Sequence, residues 1–69
     1  MDITQKIRMA LAYKHMSEAD LARKLETSPS AFNQRMRTGK FTSAELEKIA
    51  FVLGAVYEAT FTFEDGTRI

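Results

Sequence analysis

Cysteine is absent from all 69 residues, which excludes a disulfide framework and any thiolate metal site. There is a single histidine, His15, with no second ligand type beside it, so it reads as a surface or boundary residue. The three glycines are scattered and form no phosphate-cradling loop. Glu45 and Glu47 lie two apart in a helical stretch and point to different faces, so they make no carboxylate dyad. Without these constellations the chain is expected to be no enzyme and to use no cofactor, no metal and no evident small-molecule ligand. No apolar run approaches the roughly 20 residues that span a bilayer. The opening MDITQKIRM lacks the apolar core of a signal peptide. A cytoplasmic protein without a membrane partner is expected.

What is present is short and unevenly charged. A chain of this length buries only about 60% of its unfolded surface, so oligomerisation is a common means of adding stability. The net charge of +1 conceals a split. Residues 1–40 carry eight Lys/Arg against four Asp/Glu, and residues 41–69 carry two against five. A basic N-terminal part suggests a polyanionic partner for that part, against the alternative of chance in a short chain.

Four helical segments follow from periodicity and capping. From Asp2 to Tyr13, Ile3, Ile7, Ala10 and Leu11 form an amphipathic stripe, with Asp2 as cap and Met9 and Tyr13 expected in the core or at its rim. Ser17 caps the second helix with Asp20 three residues on, and Leu21, Ala22 and Leu25 point inward. Asp20 and Lys24 have the spacing of an i, i+4 ion pair. Ser28 caps the third helix, Pro29 takes its first position, and Phe32 and Met36 share its inward side. Ser30, Asn33, Gln34 and Arg37 fall on the other side, with no acidic residue between Ser28 and Arg37. Thr42 and Glu45 form a capping box for the fourth helix, whose stripe is Leu46, Ile49, Ala50 and Leu53 before Gly54. Phe51 points away from that stripe and requires a cover.

After residue 54 the period changes. Tyr57, Ala59, Phe61 and Phe63 alternate with Glu58, Thr60 and Thr62, as in a strand. Asp65-Gly66 reads as the centre of a hairpin turn, but only Thr67, Arg68 and Ile69 remain to return. The strand from Val56 to Phe63 is therefore expected to pair with its copy in a second subunit, with Phe51, Tyr57, Ala59, Phe61 and Phe63 at the dimer contact. The alternative is a strand folded back on its own helices.

Taken together, Leu21-Ala22, Leu25, Thr27-Ser28, Phe32, Gly39-Lys40, Leu46, Ile49-Ala50 and Leu53-Gly54 resemble the Cro/lambda-repressor type of helix-turn-helix, the xenobiotic-response-element family. The resemblance covers roughly residues 3–54 and is greatest to short regulators of bacteria and mobile elements with an FEDG-like C-terminal strand and turn. It implies a mainly α, four-helix DNA-binding domain over residues 1–54, usually dimeric, with the C-terminal strand or hairpin over 55–69 as a dimerisation element. It also implies that the third helix enters the major groove of double-stranded operator DNA, which makes the expected function sequence-specific transcriptional regulation by a homodimer on a palindromic operator. Pro29, Ser30, Asn33 and Gln34 match base-reading positions, and an amide can pair bidentately with adenine. Ser17, Ser28, Arg35, Arg37 and Lys40 are the expected backbone contacts. A competing class is a protein-interaction module, antitoxin-like or anti-activator, that docks through the C-terminal strand. Two departures stand out: the family usually has glycine where this chain has Glu26, and often a large apolar residue where it has Arg35.

Overall fold

A computed structural model describes residues 2–69. The protein is mainly α, with α1 over Ile3–Tyr13, α2 over Glu18–Lys24, α3 over Pro29–Thr38 and α4 over Ser43–Val52. Among the described residues no helix is long and apolar enough to cross a membrane.

Each helix begins where a short polar side chain replaces the missing backbone acceptor. Asp2, Ser17, Ser28 and Thr42 accept from the backbone N–H three residues on, at 2.8, 3.0, 3.1 and 3.1 Å. At α1, α2 and α4 the bond is reciprocated by Gln5, Asp20 and Glu45, which complete capping boxes. Asp20 is long enough to reach back to the Ser17 amide, at 3.2 Å. It also pairs with Arg23, in place of the expected Lys24, so the ion pair has i, i+3 spacing.

Three helices end alike. After α1, His15 N–H donates to Ala12 C=O and Met16 N–H to Leu11 C=O. The same two bonds recur after α2 through Glu26 and Thr27, and after α4 through Gly54 and Ala55. This double-bonded cap needs a left-handed residue at its corner. Here the corners are His15, Glu26 and Gly54, with φ of 54°, 59° and 71°. Only one is glycine. The turn between α2 and α3 is therefore left-handed despite Glu26.

The core joins all four helices through Ile7, Leu11, Leu21, Ala22, Phe32, Met36, Ile49 and Leu53. Burying each larger member is worth roughly 1.5–3 kcal/mol. Phe41, in the α3–α4 turn, stacks obliquely on Phe32 with ring centroids 6.2 Å apart. One polar side chain lies among them: Thr4 is buried, and its hydroxyl donates to the Met36 carbonyl at 2.8 Å. Tyr13 and Met9, expected inside or at the rim, are exposed on α1. Their positions carry them round the helix, away from the Ile7–Leu11 stripe.

The expected strand from Val56 to Phe63 does not form as such. Residues 55–60 have no regular structure, and the chain returns on itself further along. Phe61 and Ile69 exchange both backbone bonds, Phe63 N–H donates to Thr67 C=O, and Thr62 and Arg68 form an isolated antiparallel bridge. The turn is centred on Glu64-Asp65, one residue earlier than Asp65-Gly66. Gly66 N–H bonds back to Phe63 C=O, and Gly66 follows with φ of 91°. That arrangement is a tight turn with a glycine bulge. The three-residue return suffices because the bulge lets it pair at once.

Candidate nucleic-acid interface

Helix α3 is held from below and offered above. Phe32 and Met36 are its buried residues, and α2 packs beside it through Leu21 and Ala22. Around the helix, Pro29, Ser30, Asn33, Gln34 and Arg37 are exposed. The side chains of Ser30, Asn33 and Gln34 have no hydrogen-bond partner among the described residues, so their donors and acceptors are free for a ligand. Ser28 is different, because its hydroxyl oxygen accepts from the Ala31 amide. Its O–H proton can still be donated, at the positive end of the helix dipole.

The expected backbone contacts separate into two groups. Arg37 and Lys40 are exposed and form no ion pair among the described residues. Arg35 is committed elsewhere: its guanidinium donates to the Lys40 carbonyl at 3.0 Å and to Glu45 Oε1 at 2.9 Å. It thereby staples the α3–α4 turn onto the capping box of α4, on a different side of α3 from Asn33 and Arg37. Glu45 is held below its ordinary carboxyl value chiefly by the Thr42 backbone bond, with Arg35 adding to it. Ser17 is also committed. Its amide is taken by Asp20, and the first turn of α2 carries both Glu18 and Asp20. A phosphate brought to that end of α2 meets two carboxylates. Asp20 is kept ionised below its usual range, first by the Ser17 backbone bond.

No family model, no curated protein and no solved structure matches this chain.

Arg8 joins the surface although its sequence position gave no reason to include it. It lines a cleft with Gln5 of α1 and with Met36, Arg37 and Gly39 at the far end of α3. The Thr4–Met36 bond brings these two helix ends together, and no local pattern in the sequence reports it. Arg8 and Arg37 thus extend the basic flank of α3 onto α1, where Asp2, the cap of α1, lines the same cleft.

The five expected dimer residues lie on different parts of the chain: Phe51 on α4, and Tyr57, Ala59, Phe61 and Phe63 after it. Phe51, at 85% exposure, borders a groove between α2 and α4 with Leu25 and Val52. Tyr57 borders a different groove, between α1 and α4. Ala59, Phe61 and Phe63 belong to the C-terminal arm, which is exposed throughout residues 58–69.

Proposed function

We propose that this chain is a sequence-specific DNA-binding regulator of the Cro/lambda-repressor-like helix-turn-helix type, working as a homodimer on a palindromic operator. One observation carries the reading. Helix α3 is anchored by Phe32 and Met36, and it exposes Ser30, Asn33, Gln34 and Arg37 with no carboxylate between Ser28 and Arg37. In this reading α2, the left-handed corner at Glu26 and α3 are the helix-turn-helix. Asn33 and Gln34 read base edges in the major groove, with Pro29 and Ser30 at the groove entrance. Arg37, Lys40 and Arg8 hold phosphates and set the register without reading sequence. Two copies present their third helices to successive major grooves about 34 Å apart on one face of the duplex.

Selection of bound duplexes from a random DNA pool tests this. An enriched inverted repeat with half-sites about one turn apart is the expected result. Asn33→Ala then weakens operator binding by roughly 1–3 kcal/mol and relaxes preference at one base position. Absence of any enriched motif overturns the specific reading.

The exposed arm favours a second reading, a protein-interaction module on the same helical body. Salt separates the two: phosphate contacts make affinity fall steeply with salt, whereas apolar docking does not.

A further inference from the structure

A pocket of about 210 Å³ opens between the end of α2, α3, the α3–α4 turn and α4. Its apolar lining is Leu25, Phe32, Phe41 and Ile49, of which Phe32 and Ile49 are buried. The two phenylalanine rings meet at 57°, so an edge of one faces the other, as aromatic rings prefer. A cavity of about 150 Å³ lined by Leu, Ile and Phe takes up benzene. The volume here therefore holds one ring with a short substituent. None of the side chains proposed above to contact DNA lines it.

The polar part of the lining is unequal in charge. Arg35 and Lys48 border the pocket with a single carboxylate, Glu45. That carboxylate is engaged, because its Oε1 accepts from Arg35 and from the Thr42 amide, each at 2.9 Å. Both bonds that Arg35 makes, to Glu45 and to the Lys40 carbonyl, leave from Nη1. Its Nε and Nη2 donors have no partner among the described residues, and together they form the fork that suits a carboxylate. Lys48 forms no ion pair among the described residues, although Glu26 and Glu47 border the neighbouring α2–α4 groove with it. Two cations against one carboxylate leave one positive charge in excess beside an apolar lining.

We propose that this pocket binds a one-ring monocarboxylate, with the ring on Leu25, Phe32, Phe41 and Ile49 and the carboxylate between Lys48 and the free fork of Arg35. An apolar lining with a few polar groups that fix orientation is the usual build of a small-molecule site. Volume sets the single ring, and the excess charge sets the single carboxylate. A ligand of about nine non-hydrogen atoms is expected to bind with a Kd of about 0.1–1 mM. Ligand and DNA occupy different side chains, so the site does not depend on the DNA reading.

The test titrates benzoate into the isotope-labelled full chain without DNA and follows the backbone amide resonances. Saturable shifts are expected at Thr27, Ala31, Phe41 and Lys48. At a concentration about ten times Kd the thermal midpoint should rise by roughly 5–10 °C. Benzamide, which has the shape without the charge, is expected to bind about tenfold more weakly. Acetate, which has the charge without the ring, should give no saturable shift there. Lys48→Met keeps the stem of an exposed side chain and removes its charge, so benzoate should weaken about tenfold and benzamide should not change. Ala31→Leu, at an exposed helical position, narrows the pocket and should abolish binding of both, with helical circular dichroism unchanged. No saturable benzoate shift up to about 20 mM, well above the expected Kd, overturns the proposal. Equal binding of benzoate and benzamide, or of benzoate to Lys48→Met and the unsubstituted chain, also overturns it. So do shifts confined to Arg8 and Arg37, which mean that the anion sits in the α1–α3 cleft. None of these outcomes involves DNA, so the operator selection stands or fails separately.

Discussion

The hydroxyl of Thr4 reaches across thirty-two residues of sequence to donate to the carbonyl of Met36, in the last turn of α3. That carbonyl has lost its helical partner, because the chain turns left-handed at Gly39 and the Lys40 amide bonds to the Thr38 hydroxyl instead. A helix that ends inside a core needs such a donor. The bond positions α1 against the end of α3 and brings Arg8 beside Arg37.

Thr4→Val keeps the shape and removes the donor, leaving a buried carbonyl unsatisfied. A loss of about 1–3 kcal/mol in urea unfolding is expected, with Thr4→Ser retaining most of the stability. Equal midpoints for Thr4→Val and the unsubstituted chain would show that water replaces the hydroxyl.

Glu26 sits at the corner of the proposed helix-turn-helix with φ of 59°. A non-glycine residue there is strained by roughly 1–2 kcal/mol, partly offset in a glycine variant by greater unfolded-state freedom of about 0.4–1 kcal/mol. Glu26→Gly should therefore stabilise the fold by about 0.5–1 kcal/mol without changing the dependence on denaturant. His15→Gly, at the equivalent corner after α1, should do the same.

Arg35 and Arg37 are two residues apart on one helix and have different duties. Arg35→Ala removes the staple to Glu45 and the Lys40 carbonyl, so it is expected to lower the thermal midpoint and leave the salt slope of DNA binding unchanged. Arg37→Ala is expected to leave the midpoint alone and lower that slope by about one, for one lost phosphate contact. Fluorescence anisotropy at several salt concentrations reads both slopes.

Acid should weaken the fold from its caps. Asp20 and Glu45 are held below their ordinary values of 3.8 and 4.5 chiefly by the backbone bonds of Ser17 and Thr42. The unfolded chain therefore binds protons more readily, and stability rises with pH across that range. The contribution is complete above about pH 5 and is lost as pH falls through the lowered folded values. Unfolding midpoints between pH 2 and 6 should show this decline, and Glu45→Gln should flatten it.

Much of the molecule was determined locally and is legible in the residues. Four caps bond over three residues, and the stripes of Ile7 and Leu11, Leu21 and Ala22, Phe32 and Met36, and Ile49 and Leu53 follow the helical period. The acid-free outer side of α3 follows from the same period, so the candidate reading face needed no coordinates. Pairings between distant elements were not legible. Thr4 looks like a surface residue until Met36 is beside it, and Arg35 looks like a free cation until α4 brings Glu45 to it. The left-handed corners at His15 and Glu26 are set by the two terminal bonds of each cap, against residue preference. The C-terminal alternation promised a strand, and the tertiary structure made it an arm with a bare apolar face. Local hydrogen bonds and periodicity act over a few residues and are written in order along the chain. Partners ten to thirty residues away depend on how helices pack, and only the folded chain decides that.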